Sequence, residues 1–278
     1  MVLYFSATGN TEFLAKELAK RLNDQCVNLL YRIKKHDHSP IFSDKPFVIC
    51  TPVYVCEMPR FLSAYLKKQP FTGSSEVYFV INSAGYGGIS GYLAKKIAKR
   101  KKMHYMGYSE VVMPRNYFIG HYPMQSGDEI KERLLNAYEK IQNIADSIAN
   151  GEKLKARYVF MFEKAITLPF NPVWSKYKLT SKAFFASDKC VTCGKCVQVC
   201  PLNNISIKDN KPVWENNCTH CMACIGNCPT EAIDYSGITN NKGKYNFKKY
   251  KHFLNEKNAL PKDTHIPDAK LYKRRKNG

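Results

Sequence analysis

The first half of the chain alternates short apolar runs with amphipathic stretches. It opens on the apolar run MVLYF, and after a loop of small residues Phe13, Leu14, Leu18 and Leu22 recur at helical spacing. Further apolar runs follow at Cys26–Tyr31, Phe47–Pro52, Val77–Asn82 and Glu110–Met113. Helical patterns separate them at Arg60–Lys68, Gly91–Lys102 and Asp128–Asn150. Five strands alternating with four helices predict a doubly wound α/β fold, its parallel five-stranded sheet covered on both faces. In such sheets ligands sit beyond the carboxyl ends of the strands, where the strand order reverses. Three loops are expected to converge there. The first is Ser6, Ala7, Thr8, Gly9, Asn10 and Thr11, and the second is Thr51, Pro52, Val53 and Tyr54, running on to Met58 and Pro59. The third is Asn82, Ser83, Ala84, Gly85, Tyr86, Gly87 and Gly88, whose glycines let backbone approach a planar ring.

Beyond residue 152 the pattern changes. Residues 153–187 are rich in aromatics, from Tyr158 to Phe185, so this connector is expected to pack against both of its neighbours rather than to act as a flexible linker. Residues 188–238 carry two cysteine runs, CVTCGKCVQVCP from Cys190 and CTHCMACIGNCP from Cys218, and residues 239–278 form a basic extension. Each run reads C-x2-C-x2-C-x3-C-P, the spacing at which bacterial ferredoxins hold two 4Fe–4S cubanes, the fourth cysteine of each run serving the other cluster. One cluster would take Cys190, Cys193, Cys196 and Cys228, and the other Cys218, Cys221, Cys224 and Cys200. Gly194 and Ala223 are expected to let amides approach the sulfurs. Zinc ribbons also use C-x2-C pairs, but zinc explains neither the third cysteine nor the C-P ending. Disulfides suit neither the dense spacing nor a chain with no visible secretory leader. His220, between two ligands, is expected to stay out of the metal shell. Trp214 is expected on the strand joining the two cluster loops.

The loop SATGNT contains no lysine, so it is not a P-loop, and it lacks G-x-G-x-x-G. Backbone amides, hydroxyls and a helix N-terminus remain, which suits a phosphate ester. A plain strand-to-helix turn capped by Thr8 or Asn10 stays open as the alternative. The loop resembles the flavodoxin phosphate loop Ser/Thr-x-Thr-Gly-Asn-Thr. Nearly the whole chain, including MPRNY at Met113–Tyr117, is similar to the fused flavodoxin–ferredoxin proteins called the EFR1 family. That resemblance implies a flavodoxin-like domain over 1–152, followed by a small α+β ferredoxin-like two-cluster domain. It also implies FMN, two 4Fe–4S clusters and electron transfer. Tyr54 and Tyr86 would then flank the flavin ring.

Charge adds a partner class. With 43 Lys and Arg against 23 Asp and Glu, the net charge is +20, its surplus spread over Lys95–Lys102, Lys176–Lys189 and Lys248–Lys276. An acidic ferredoxin or flavodoxin, or a redox enzyme, is the expected partner, since opposite fields steer encounter. The tail lacks the aromatic interleaving of nucleic-acid modules, so nucleic acid is the lesser alternative. No apolar run is long enough for a membrane span, and a cytoplasmic, reducing environment is expected. Cys26 and Cys50 are expected to be inert core residues, while Cys56 lies near the flavin loops and is a candidate reactive thiol. No catalytic residue is assigned. Tyr117 and His121 are the nearest candidate proton donors, each with a structural role as the simpler reading. The function expected is single-electron transfer between clusters and FMN, with two alternatives: an FMN-dependent oxidoreductase acting on a small molecule, or a redox-sensing nucleic-acid binder.

Overall fold

The computed structural model describes residues 1–119, 122–155 and 157–255. Its central sheet holds five parallel strands, β1 (Val2–Tyr4), β2 (Cys26–Asn28), β3 (Phe47–Pro52), β4 (Glu76–Ser83) and β5 (His104–Val112). They lie in the order β2-β1-β3-β4-β5, the flavodoxin-like doubly wound arrangement. The expected fold class therefore holds. Side-chain alternation explains why both faces are covered. Val2, Tyr4, Val48, Cys50, Tyr78 and Val80 feed one apolar cluster, while Leu3, Phe5, Phe47, Ile49, Phe79 and Ile81 feed the other.

Helices α1 (Asn10–Arg21) and α4 (Gly127–Ala149) cover the first face, and α2 (Arg60–Lys68) and α3 (Ser90–Arg100) cover the second. In α4 the buried residues Ile130, Leu134, Ala137, Ile141, Ile144 and Ile148 fall three or four apart, one stripe of the helix. Ser126 caps it by accepting from the Glu129 amide, and Asp128 and Glu129 sit at the positive end of its dipole. Two strand boundaries differ from expectation. β2 stops at Asn28, whose side chain accepts from the Leu30 amide and turns the chain into a short helix at Leu30–Lys34. β5 begins at His104 rather than Glu110; residues 106–109 are buried, but Gly107 and Ser109 interrupt the apolar run there.

The smaller unit has two antiparallel pairs. Strand β6 (Phe184–Ala186) pairs with β9 (Ile233–Tyr235), and β7 (Ile205–Lys208) forms a hairpin with β8 (Lys211–Trp214). The hairpin turns on Asp209 and Asn210, both at positive φ (46° and 58°), the two-residue loop that matches strand twist. Trp214 lies on β8, as expected. Residues 239–255 return to the larger unit, where Tyr245 and Phe247 are buried and Phe247 stacks on Phe13 at 4.7 Å. The rest of the basic extension lies outside the described residues.

The connector forms helix α5 (Met161–Tyr177), in which Glu163 reaches back to cap the Phe160 amide at 2.7 Å. Beyond the helix the connector enters the smaller unit's core through Phe184, which stacks on Trp214, but the aromatics of α5 itself are not packed. Glu163 and Asn171 are its buried residues, whereas Phe162, Phe170, Trp174 and Tyr177 are exposed. The expectation of aromatic packing holds at Phe184 and is corrected for α5, whose stripe facing the protein is polar.

Candidate cluster and flavin site

The cysteine loops owe their shape to left-handed residues. Thr192 and His220 have φ of 54° and 49°, followed by Gly194 and Met222 at 70° and 64°. Met222 is thus the counterpart of Gly194. A non-glycine residue there carries strain that the surrounding loop has to over-determine. The Ala223 amide reaches the Cys221 sulfur, as expected. Short helices α6 (Lys195–Val199) and α7 (Ala223–Gly226) follow, each running into the fourth cysteine of its run.

Cys200, Cys218, Cys221 and Cys224 line one cavity, walled by Phe184, Ile205, Trp214 and His220. These are the four cysteines expected to share a cluster. Amides reach two of the sulfurs, Asn204 to Cys200 at 3.3 Å and His220 to Cys218 at 3.4 Å. The pseudo-symmetric contact, Ala232 to Cys228, is 3.3 Å. Burial pushes the Cys218 thiol up to about 11 and those of Cys221 and Cys224 higher still. A ligated metal must therefore displace their protons, coupling binding to folding. At Cys228 burial acts the same way, but Thr230 and the Ala232 and Ile233 amides outweigh it and bring the thiol down.

His220 is fully engaged away from the metal. Its Nε2 lies 2.7 Å from the Thr180 carbonyl, which can only accept, so Nε2 carries the hydrogen. Nδ1 then accepts from the Tyr117 hydroxyl at 3.3 Å. Burial raises Tyr117 to about 12 and lowers His220, which keeps the pair neutral. Tyr117 is therefore a poor proton donor, and His121 lies outside the described residues.

The three loops expected at the switch point do converge. The Val53 amide donates to the Asn82 carbonyl at 3.1 Å, Ile89 to Cys56 at 2.8 Å, and the Asn82 side chain to Thr11 Oγ1 at 2.7 Å. Gly88, at φ 56°, has the Cys56 carbonyl where a Cβ would stand, 1.8 Å away, so only glycine permits this seam. The hydroxyls of the first loop are the donors a phosphate ester would meet. Ser6 Oγ accepts from the Gly9 amide at 3.1 Å, Thr8 Oγ1 from Asn116 at 2.9 Å, and Thr11 Oγ1 from Asn82. Each hydroxyl is thus held as an acceptor and keeps its own hydrogen to donate. With the helix N-terminus at Asn10, this donor set suits a phosphate ester, although Thr8 and Thr11 are only 2% and 1% exposed, with Phe247 and Gly226 standing against the loop.

Asn10 itself departs from that role. Its amide donates to the Pro114 carbonyl at 2.8 Å and accepts from the Tyr245 hydroxyl at 2.6 Å, facing the core. The cluster segment and the C-terminal extension both pin the same loop from outside. Asn227 donates to the Ala7 carbonyl and the Phe247 amide to the Thr8 carbonyl, both at 2.9 Å.

Tyr86 is half exposed, its ring 5.2 Å from the Arg157 guanidinium and its hydroxyl donating to Glu163. Tyr54 is partly buried, and its phenol oxygen is buried without a partner. Burial first, then nearby Cys221, pushes the Tyr54 phenol well above its usual range. A cavity of about 620 Å³ opens beside it, lined by Tyr54, Val55, Arg60, Asn171, Lys182 and Cys218 among others, so it borders both halves. Cys56 is exposed, but burial of its sulfur and nearby Glu57 raise its pKa, the opposite of an activated thiol. Cys50 is fully buried, as expected, whereas Cys26 is half-buried at the edge of the core.

A family model described as "4Fe-4S dicluster domain" matches residues 189–233. The ferredoxin of Methanothermococcus thermolithotrophicus is 44% identical over 50 residues, 16% of this chain and 83% of that protein. By this segment the chain belongs to the 4Fe–4S dicluster ferredoxins. Among solved structures, rubredoxin oxygen:oxidoreductase from Desulfovibrio gigas is 13% identical with a TM-score of 0.32, over 54% of this chain and 35% of that one. Megasphaera elsdenii flavodoxin is 16% identical with a TM-score of 0.30, over 50% of this chain and 99% of that one. Neither adds to what the strand order states.

Around the ferredoxin segment, sequence reasoning missed two groups. Lys34 donates to the Val197 and Cys200 carbonyls, each at 2.8 Å, fastening the ferredoxin to the larger half. Nothing marks one lysine among so many. Glu57, in the second loop, is buried, and that burial lifts its pKa to about 7 despite Arg60 nearby. Its neighbours in sequence, CEMPR, gave no sign that the side chain turns inward.

Proposed function

We propose that this chain relays single electrons between an external carrier and a bound FMN, by way of two 4Fe–4S clusters. The proposed division is an FMN domain over 1–152, a connector over 153–187, a two-cluster domain over 188–238 and a C-terminal extension. Cubanes and flavin, when bound, supply one-electron chemistry that side chains lack. Cys190, Cys193, Cys196 and Cys228 would hold one cluster, and Cys218, Cys221, Cys224 and Cys200 the other. Ser6, Thr8, Thr11 and the first amides of α1 would hold the FMN phosphate. Val53, Tyr54 and Ala84–Tyr86 would border the ring, and Ala84, Gly85 and Tyr86 remain open to solvent.

The observation that carries this reading is the junction of the halves. Cys218 and Tyr54 border the same cavity, and Gly226, just past Cys224, stands against Thr8, where a Cβ would be 3.0 Å from its methyl group. The Cys218 cysteine set is thus the one nearer the flavin loops, and the Cys190 set would face outward to a carrier. The basic surface supports an acidic ferredoxin or flavodoxin as that carrier. The test is anaerobic purification followed by iron, sulfide and flavin assay. About eight irons (two cubanes) and one FMN per chain are expected. A protein retaining its iron but unable to take up added FMN would defeat the reading.

A further inference from the structure

We infer that helix α5 is a membrane-surface element, seating its apolar face in the interface of a bilayer rich in anionic phospholipid. The helix is inside out for a soluble protein. Its polar residues Glu163 and Asn171 are buried against the flavin loops, Glu163 with Tyr86 and Arg157, and Asn171 donating to the Val55 carbonyl at 2.6 Å. Outward it presents Met161, Phe162, Ile166, Phe170, Val173 and Trp174, with Met161 76% and Phe162 62% exposed. A contiguous apolar face of this size on a monomer marks an interaction surface.

Charge selects the occupant. Lys95, Lys96, Lys99 and Arg100 form an exposed basic edge on α3. That edge adjoins α5, since Lys164 and Lys96 lie 5.3 and 5.9 Å from the same Tyr92 ring. Lys176 and Lys178 are exposed at the other end of the helix. Aromatic and aliphatic side chains on one face, rimmed by lysines on a chain of net charge +20, match an anionic bilayer surface. The same net charge opposes pairing this face with a second copy. No helix among the described residues is long and apolar enough to cross a membrane, so the contact is in-plane.

The test uses the anaerobically purified full chain and sedimentation with phosphatidylglycerol/phosphatidylcholine vesicles or with phosphatidylcholine alone. Partition at least tenfold stronger to the anionic vesicles is expected. It should fall at least tenfold in the double variant Phe162→Asp, Ile166→Asp, and several-fold in Lys96→Glu, Lys99→Glu. All four positions are at the surface, so visible spectrum and thermal unfolding should match the parent. Binding left unchanged by the Phe162, Ile166 pair would assign adsorption to the basic surface alone and overturn the inference. So would failure to bind anionic vesicles, or a dimer in solution that the pair dissolves while vesicles are ignored.

Discussion

The two halves of this molecule hold themselves together differently. The larger half sandwiches its sheet between two apolar clusters, with Leu3, Phe5, Leu14, Leu18, Phe79 and Ile81 wholly or almost wholly buried. The smaller half has one modest cluster, Phe184, Cys196, Ile205, Met222, Cys224, Ile225 and Ile233, two members of which are cysteines of the metal motifs. A core of that size does not offset the chain entropy of its segment. The metal has to supply the rest. The electron-carrying chemistry is thus concentrated where the polypeptide is least self-sufficient, and the larger half provides the platform.

The sharpest way to break this contrast is to remove the metal. Chelation, or Cys221→Ala together with Cys224→Ala, should unfold residues 188–238, because structural metal ligation is worth on the order of 10 kcal/mol. The larger half should keep its own cooperative transition in calorimetry. Simultaneous melting of both halves would erase the distinction. Leu14→Ala is the converse experiment. A cavity under β1 should cost about 3 kcal/mol of unfolding free energy, read from denaturant titration, with iron content unchanged.

A smaller effect comes from Glu57. Its pKa of about 7 against an ordinary 4.5 means the folded chain binds that proton more tightly than the unfolded one. The resulting stability is full below pH 4.5 and is lost as pH rises through about 7, up to about 2 kcal/mol after allowing for solvent relaxation. Glu57→Gln should flatten that slope in urea titrations between pH 5 and 8. The smallest change concerns Val55 and Cys56, consecutive residues at φ 48° and 61° in the tight turn from Tyr54 to Glu57. A β-branched residue is strained there, and Asn is not. Val55→Asn should therefore stabilise the larger half by about 1 kcal/mol, measured by thermal unfolding, while leaving the ferredoxin segment unaffected.

How much was legible in the sequence follows the same division. The sheet could be read because its strands are buried on both faces and its helices on one, which imprints periodicity. The cysteine sets could be read because cubane geometry leaves little freedom in spacing. That Met222 shares the left-handed conformation of Gly194 was not legible, since nothing in a methionine signals positive φ. The inverted face of α5 was misread for a related reason. Aromatic residues ordinarily face a core, and here Glu163 and Asn171 took the inward positions by hydrogen-bonding loop residues far away in sequence. The same non-local bonding turned Asn10 into the core through Pro114 and Tyr245, which the motif alone does not disclose.

The most direct test of the relay is an anaerobic stopped-flow experiment on the fully loaded chain, reducing it with a one-electron donor and following cluster and flavin absorbance separately. Flavin reduction should lag cluster reduction at a rate independent of protein concentration, as transfer within one chain requires. A rate proportional to protein concentration, or flavin that stays oxidised beside reduced clusters, would contradict the account.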